Sequence, residues 1–499
     1  MKIRYMLIGI VLVVLTSVSH AAWTGAHGDS DNRGFAQVNT KPATFPIRAI
    51  SVGQIASGAN PVTAPNGTVY IGNLAGELIA MHADGSPLWK RQLAPNHGGI
   101  NASPVVGGDG SVYVVSHHEF TDHRNGQALF HSDVFLHRFT AAGVQLGSVS
   151  FPSFGYSTAR GAAPPNIWRN NGVEAIIVPA MYSGLSISTL RVMAYSTSLA
   201  LLDSKEVSIV VSEVTGNSDL GLCLLLFPTC IGFTPNGLTI PMFDAGTPFN
   251  GVAIRPNPTG GAPQVVVAGL HDTVVYSFSP QTGLVEFARG TEKPSRWIQT
   301  PPVVLNHGLT AVGVNDFGAQ PPYFNGAYLR LLQGSAFPPV IFTPTDSGTF
   351  APMLTAAPTV LADGRVAVIR RDGRLIILNG SGVVWNETLS GASIASAAAS
   401  CTHLFVSTEN EFRTYDLSNM QVIGSIALQK GGRHSPVIGP AGHVYAMTEF
   451  GLNVFPAPPR PRFPPIFGSC GSLVISPPWV GVIHPIISPA IKTTVEIIR

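Results

Sequence analysis

The chain has 499 residues, of which 45% are hydrophobic and only 11% are charged, with 53 Gly and 41 Pro. This balance is typical of many short strands joined by turns, and it does not suit long helices covered with ion pairs. The formal net charge is only +2, and no basic run follows the first few positions. The charge pattern therefore argues against nucleic acid as a partner.

The first 21 residues have the pattern of a signal peptide. Lys2 and Arg4 form a charged start, Met6–Val14 is an apolar run, and Ser19-His20-Ala21 is a small-residue cleavage site. We expect the mature chain to begin near Ala22 and to be exported to the periplasm or outside the cell. A retained signal anchor is the alternative, although the apolar run is short for a membrane span.

One stretch, Ala56–Lys90, contains the pattern on which the rest of the chain is built. Short apolar runs alternate with the turn signals Asn66-Gly67 and Asp84-Gly85, which predicts hairpin-linked strands. The predicted strands are Pro61–Thr63, Thr68–Ile71, Leu78–Met81 and a fourth that starts at Leu88-Trp89. So small a sheet is not stable alone, and similar sheets are expected to stack against it.

The same pattern recurs along the chain. Pro61 and Pro104 are 43 positions apart, as are Tyr70 and Tyr113. Further copies are predicted in the segments Ala163–Tyr195, Gln264–Phe287, Thr300–Val304, Ala357–Trp385, Ala395–Tyr415 and Ser435–Phe455. The third copy is weak and is followed by an insertion, Gly216–Phe249, and the later strands of the fifth copy are indistinct.

A period of about 40 residues with four strands per unit is typical of β-propellers. The sequence thus predicts an all-β chain with a single β-propeller of about eight four-stranded blades in residues 22–455, with seven blades or a solenoid as alternatives. We expect Ile47–Val52 to supply a strand to the last blade and so close the ring.

Residues 456–499 form a Pro-rich, apolar C-terminal tail. Its apolar part is broken by Pro477, Pro478, Pro485 and Pro489, which argues against a membrane helix. The tail is expected either to fold back on the ring or to contact a partner.

The repeats resemble those of a known family. Leu78–Trp89 (LIAMHADGSPLW) and Leu375–Trp385 (LIILNGSGVVW) are similar to the strand, turn and Trp signature of the pyrroloquinoline-quinone-like, or quinoprotein-like, β-propeller repeat. Gly283–Phe287 looks like a degenerate copy, with Phe in place of Trp. The segment Trp23–Phe35 also resembles the one that precedes the first blade in that superfamily. The signature defines the blade and does not define a function.

For the cofactor-dependent members, the resemblance implies a disulfide between adjacent cysteines beside the quinone, a bound calcium ion and an Asp base. This sequence has no adjacent cysteines, and no Glu, Asn and Asp set can be assigned by motif. No cofactor is firmly implied by the sequence, and pyrroloquinoline quinone (PQQ) with calcium remains the one candidate cofactor.

A polar cluster in Ser116–His137 contains four candidate metal ligands, His117, His118, His123 and His131. Imidazole together with nearby carboxylates would suit zinc or a similar ion, but the spacing matches no standard site. The alternative is an enlarged, solvated loop between two strands. Asp29-Ser30-Asp31-Asn32 could chelate calcium, but a capped turn is favoured because the spacing and closing Glu of an EF-hand are absent.

Four cysteines in an exported chain are most simply two disulfides, and three pairings are possible. Cys223 and Cys230 flank LLLFPT and could close one loop, which would leave Cys401 to pair with Cys470.

No nucleophile elbow, phosphate loop, HExxH or CxxC motif is present, and no catalytic residue is assigned. We therefore expect an exported, non-catalytic propeller, monomeric as a ring, that binds a protein partner in the envelope or the extracellular space. The alternatives are a PQQ-dependent oxidoreductase and a carbohydrate- or surface-binding module. The apolar run Leu220–Phe227 and the tail are candidate contact surfaces.

Overall fold

The structure, a computed structural model, shows a β-propeller of eight blades. It describes residues 22–93, 98–124, 127–155, 158–161, 164–183, 187–211, 229–233, 239–244, 251–269, 271–293, 296–305, 308–316, 326–336, 353–380 and 382–459. The all-β fold and the eight copies predicted from the repeats are confirmed. The described part of the chain contains no helix with the length and apolar character needed to cross a membrane.

The strands of each blade run from the ring centre outward. Strand β1 (Arg48–Ser51) precedes the first blade in sequence. Blade 1 has β2 (Val62–Thr63), β3 (Val69–Gly72), β4 (Glu77–Met81) and β5 (Pro87–Gln92). After the connector strand β6 (Gly99–Ile100), blade 2 has β7 (Val105–Val106), β8 (Val112–Arg124), β9 (Gln127–Phe139) and β10 (Gln145–Ser150).

Blade 3 follows the connector strand β11 (Thr158–Gly161). It has β12 (Asn166–Asn170), β13 (Val173–Ser183), β14 (Ile187–Ser196) and β15 (Leu201–Val211). The insertion after it contains the hairpin β16 (Thr229–Phe233) and β17 (Thr239–Asp244). Blade 4 has β18 (Gly251–Arg255), β19 (Gln264–Ala268), β20 (Asp272–Ser279) and β21 (Gly283–Thr291).

In blade 5, two short strands pair with the same side of a longer one. It has β22 (Arg296–Ile298), β23 (Val303–Val304), β24 (Thr310–Asp316) and β25 (Gly326–Leu332). Blade 6 has β26 (Thr359–Val360), β27 (Val366–Ile369), β28 (Arg374–Asn379) and β29 (Gly382–Thr388).

The last two blades include the ring closure. Blade 7 has β30 (Ala398–Ala399), β31 (His403–Ser407), β32 (Glu411–Asp416) and β33 (Val422–Ala427). A short 3₁₀ turn, Gly431–Arg433, leads to blade 8, which has β34 (Val437–Ile438), β35 (Val444–Met447) and β36 (Gly451–Phe455). Its fourth strand is β1, which pairs antiparallel with β36, so the predicted closure through Ile47–Val52 is confirmed.

Local turn chemistry explains the repeated strands. The glycines of the Asp-Gly pairs have the positive φ that tight hairpins need, as at Gly85 (79°) and Gly364 (85°). The signature Trp packs on the next blade: Trp89 donates its indole N–H to the Ala141 carbonyl at 2.9 Å. Gly143 lies so close under the Trp89 ring that a Cβ would clash there.

The winding of the blades gives the ring two distinct faces. Because each blade is antiparallel and starts at the centre, the turns between its second and third strands all lie on one face, as do the connections between blades. We call this the hairpin face. The turns between the first two and the last two strands lie on the opposite face, which we call the turn face.

The segment Ser116–His137 differs from its prediction as a loop. It lies in β8 and β9, which pair continuously from Val112 with Phe139 to Arg124 with Gln127. The loop prediction was wrong because this hairpin protrudes beyond the blade and lacks the apolar alternation of a half-buried strand.

Candidate functional site in the channel and on the hairpin face

The channel through the ring is filled by the chain itself. Residues Trp23–Phe35, here called the lead-in, run around the inside of the ring and contact one blade after another. Their backbone carbonyls accept hydrogen bonds from the innermost strands. The donor N–H groups are those of Thr63, Val106, Ile254, Val304, Val360 and Ala399, and the acceptors are the carbonyls of Trp23, Thr24, Ser30, Asp31, Arg33 and Gly34, at 2.7–2.9 Å.

These contacts satisfy the inner edge of the blades. An innermost strand has no neighbouring strand on its channel side. Without the lead-in, the N–H groups that point into the channel would have to bind water. Blade 3 is reached through a side chain, since Asn166 donates Nδ2–H to the Ser30 carbonyl at 2.9 Å. The lead-in thus joins blades 1 to 7 through hydrogen bonds inside the channel.

Asn32 binds the middle of the lead-in to two blades. Its side-chain amide donates to the carbonyls of Val252 (2.9 Å) and Pro302 (3.1 Å), which belong to blades 4 and 5. Asp29 accepts the Asp31 N–H at 3.0 Å and forms an ion pair with Arg33. The segment Asp29–Asn32 is therefore a capped turn, as the sequence favoured.

A second set of hydrogen bonds links neighbouring blades two residues before each inner strand. The Ser396 N–H donates to Ser435 Oγ (3.0 Å), the Ser435 N–H to Asn60 Oδ1 (2.8 Å), and the Asn60 N–H to Ser103 Oγ (2.8 Å). This belt runs from blade 7 through blade 8 to blades 1 and 2. It crosses the junction between the last blade and the first and so reinforces the closure made by β1.

A cavity of about 60 Å³ lies at the hairpin-face end of the channel. Its lining includes His27, Asn32, Asn60, Thr355, Ser396 and Arg433. Pockets for cofactor-sized ligands have volumes of about 300–1,000 Å³, so this cavity has room only for a few water molecules.

Two histidines beside this cavity are buried in the neutral form. His27 Nε2 lies 3.1 Å from the Pro358 carbonyl, and His434 Nδ1 lies 2.9 Å from the Ala59 carbonyl. Because a carbonyl only accepts, these nitrogens carry the ring protons. Burial lowers the pKa of each imidazole to about 4. Their other ring nitrogens, His27 Nδ1 and His434 Nε2, have no hydrogen-bond partner among the described residues.

PQQ with calcium does not fit the described part of the channel. The cavity is too small for a quinone of that size, and no carboxylate is among the described residues that line it. The nearest acidic pair in the lead-in, Asp29 and Asp31, is engaged by Arg33. Nowhere in the described ranges do three His, Cys, Asp or Glu side chains come together as a metal site.

The hairpin face carries the largest departure from the regular blade. The middle strands of blade 1 have four and five residues, whereas β8 and β9 have 13 each. The extra part, Ser116–Arg124 with Gln127–Phe135, is here called the arm. At about 3.3 Å per residue, it extends about 30 Å beyond the blade.

Strand pairing holds the arm to blade 3. β11 pairs antiparallel with β13 and parallel with β9 at Ser132, so blades 2 and 3 share one ten-stranded sheet. The insertion between blades 3 and 4 also begins on this face. Arm, shared sheet and channel mouth therefore lie on the same side of the ring.

The predicted metal ligands lie on the arm. His117 pairs with Val134 and His118 with Asp133, while Phe120 pairs with His131 and His123 with Ala128. His117 Nε2 accepts a hydrogen bond from Asn101 Nδ2 at 2.8 Å. The side chains of His123 and His131 lie outside the described part of the structure, so the metal site stays a prediction.

Two of the four cysteines lie in the described ranges. Cys230 lies in β16, in the insertion after blade 3, and Cys401 lies in the turn between β30 and β31, on the turn face. Cys223 and Cys470 lie outside the described residues, as does Leu220–Phe227, and both pairings stay predictions.

Sequence reasoning missed His27, Asn32 and the belt. One signal was available for the belt: Asn60, Ser103 and Ser435 each stand directly before a Pro-Val pair that opens an inner strand. His27 and Asn32 carry no such signal, because their partners are more than 200 positions away in the sequence.

Comparisons with known proteins show the fold. No protein-family model and no curated protein matches the sequence. The chain is similar to the crystal structure of BamB from Moraxella catarrhalis, with a TM-score of 0.50 and 13% identity over 82% of this chain and 99% of that one. It is also similar to Saccharomyces cerevisiae Sqt1 (TM-score 0.48, 11% identity, 83% and 100% covered) and to a europium-containing methanol dehydrogenase (0.41, 12%, 86% and 89%). The β-propeller fold predicted from the repeats is thus confirmed, and at these identities the likeness shows the fold alone.

Proposed function

We propose that the chain is an exported, non-catalytic β-propeller that serves as a protein-binding scaffold in the cell envelope or outside the cell. The observation that carries this proposal is the contrast between a filled channel and a long hairpin that projects from the ring. The channel, where a ring could hold a small ligand, is filled by the lead-in. The arm instead carries the backbone of β8 and β9 well beyond the blade on the hairpin face.

Export is supported by the charged start, the apolar run and the small residues before Ala22. Trp23 is 1% exposed and its N–H donates to Thr63 Oγ1 at 2.9 Å. Cleavage before Ala22 would leave the whole lead-in in place. N-terminal sequencing of the purified envelope protein is expected to begin at or near Ala22, and an intact Met1 would contradict export by cleavage.

The partner surface can be tested by shortening the arm. His117 and Val134 face each other in the hairpin, so residues 118–133 can be replaced by Asn-Gly, which favours a two-residue turn. Capture from an envelope extract should recover a partner with the intact chain and lose it with the shortened one. Asn419→Asp, in an exposed turn on the opposite face, is the control.

The outcomes separate the proposal from its alternatives. Equal recovery by all three proteins, or recovery by none, would contradict a partner bound through the arm. PQQ added with calcium is expected to leave the thermal midpoint unchanged, because the cavity in the described part of the channel is too small for it. A clear rise in the midpoint would instead support the oxidoreductase alternative.

A further inference from the structure

A second candidate surface lies at the rim of the ring, between blades 7 and 8. It is a groove of about 730 Å³ lined by Thr44–Pro46, Val422–Ala427 and Asn453, and none of these residues is charged. Large apolar side chains are exposed at its turn-face end, where Phe45 is 80% and Val422 45% accessible. Clustered exposed apolar side chains of this kind mark binding surfaces.

The groove is lined by a strand that has an open edge. β33 is the outermost strand of blade 7, and among the described residues it pairs with β32 alone. The backbone groups on its other edge can therefore accept one more strand.

The C-terminal tail starts beside this groove. Asn453, which lines it, is six residues before Pro459, the last described residue. Pro458 lies against the turn-face glycine Gly442, so the chain leaves the ring on the face where Phe45 is exposed. The 14 residue-to-residue steps from Pro459 to Leu473 can span at most about 46–50 Å, which allows the tail to reach back to the rim.

The chemistry of the tail matches the groove. From Pro464 to Ile491 the sequence contains no Asp, Glu, Lys or Arg. Within it, Leu473–Ile475 (LVI) is a run of strand-forming apolar residues three positions after Cys470. Ser400, the neighbour of Cys401, has its Oγ 2.8 Å from Thr40 Oγ1, and Thr40 is four residues before the start of the groove at Thr44. Cys401 therefore lies near the groove. The predicted Cys401–Cys470 disulfide would hold the run Leu473–Ile475 close to β33.

We propose that the C-terminal tail folds back on its own ring, and that its uncharged stretch, residues 464–491, docks in the groove with Leu473–Ile475 along the open edge of β33. The tail then covers Phe45 and Val422. This inference concerns the rim and is independent of the partner proposed for the arm.

Photo-cross-linking in the full mature chain tests this docking. Phe45 is replaced by the photoreactive p-benzoyl-phenylalanine, which its high exposure should tolerate, and cross-linked peptides are mapped by mass spectrometry. The expected product joins position 45 to residues 464–491 within one chain. A mixture of isotope-labelled and unlabelled chains distinguishes bonds within one chain from bonds between two.

Two comparisons make the result specific. The same photoreactive group at Phe450, which is 52% exposed on the hairpin face, should not capture the tail. Val422→Asp places a charge in the groove and should reduce the cross-link at position 45 several-fold while the ring stays folded. A product between two labelled chains, a product with another protein, or the absence of any product with residues 464–491 would overturn the proposal.

Discussion

Lowering the pH from 7 to about 4 should destabilise the ring at its centre. Protonation would place a positive charge on His27 and on His434, and burial disfavours the charged form of both side chains. Both side chains are at most 5% exposed, and burial lowers the pKa of each to about 4. In the unfolded chain a histidine has a pKa of about 6.5. Between these values the unfolded state binds more protons, so the stability that depends on the neutral rings is complete above pH 6.5 and is lost as the pH falls through about 4.

The size of the effect follows from the two pKa values. At 1.36 kcal/mol per pKa unit, the gap between 6.5 and about 4 corresponds to about 3 kcal/mol for each histidine. Carboxylates elsewhere in the chain also titrate in this range, so the total pH dependence of stability does not measure the contribution of the two histidines. A variant in which one histidine is replaced by a residue that does not titrate measures the contribution of that histidine.

His434→Gln is that variant, since a glutamine amide can still donate to the Ala59 carbonyl. Urea midpoints measured at pH 7 and pH 4 should differ less in His434→Gln than in the unchanged protein, by the equivalent of about 3 kcal/mol. His82→Gln, at an exposed position, is the control and should keep the full difference. An unchanged pH dependence in His434→Gln would refute the assignment of a buried neutral histidine.

Three further results are expected. Asn60→Ala should lower the free energy of unfolding by about 1–3 kcal/mol, because it leaves the buried Ser435 N–H without its acceptor, whereas Asn39→Ala, at an exposed position, should cost less than about 0.5 kcal/mol. Gly72→Ala should lower the free energy of unfolding, measured by chemical denaturation, by about 1–3 kcal/mol, because the new Cβ would overlap the Ile100 side chain. Gly147→Ala is the control and should change this free energy little, because a Cβ there would be 3.5 Å from its nearest neighbour. Equal losses of stability in the two variants would contradict this account. Non-reducing peptide mapping should recover two disulfides, and any other pairing would correct the sequence prediction; the expected pairs are Cys223–Cys230 and Cys401–Cys470.

The blades could be predicted because their signals are local. In blades 1, 6 and 8, apolar runs of four to six residues and turn pairs such as Asp84-Gly85 determine the strand pairing without reference to the rest of the chain. Even the closing strand could be assigned, since a ring needs a fourth strand for its last blade. The Trp contacts between blades followed from the same repeat, and Trp385 packs edge-on against Tyr415 of blade 7.

The arm and the channel could not be predicted, for two different reasons. The arm has polar side chains at successive positions, as at His117-His118-Glu119, so the alternation that marks a half-buried strand is missing. The lead-in has no periodicity at all. Its conformation is determined by acceptor and donor groups on seven blades, and no pattern within Trp23–Phe35 records where those groups lie.

The position of β1 sets a constraint on how the chain reaches its folded state. Arg48 pairs with Val454, which is made 406 residues later. At about 5–20 residues per second, roughly 20–80 s of synthesis separate the two strands. During that interval β1 has no partner strand, and the lead-in lacks its partners on the blades not yet made. Contacts this distant in sequence form slowly. A chain of this kind would therefore expose its first strand to incorrect pairing until the last blade is made, so we expect β1, the first strand of the mature chain, to be among the last elements to reach its final position.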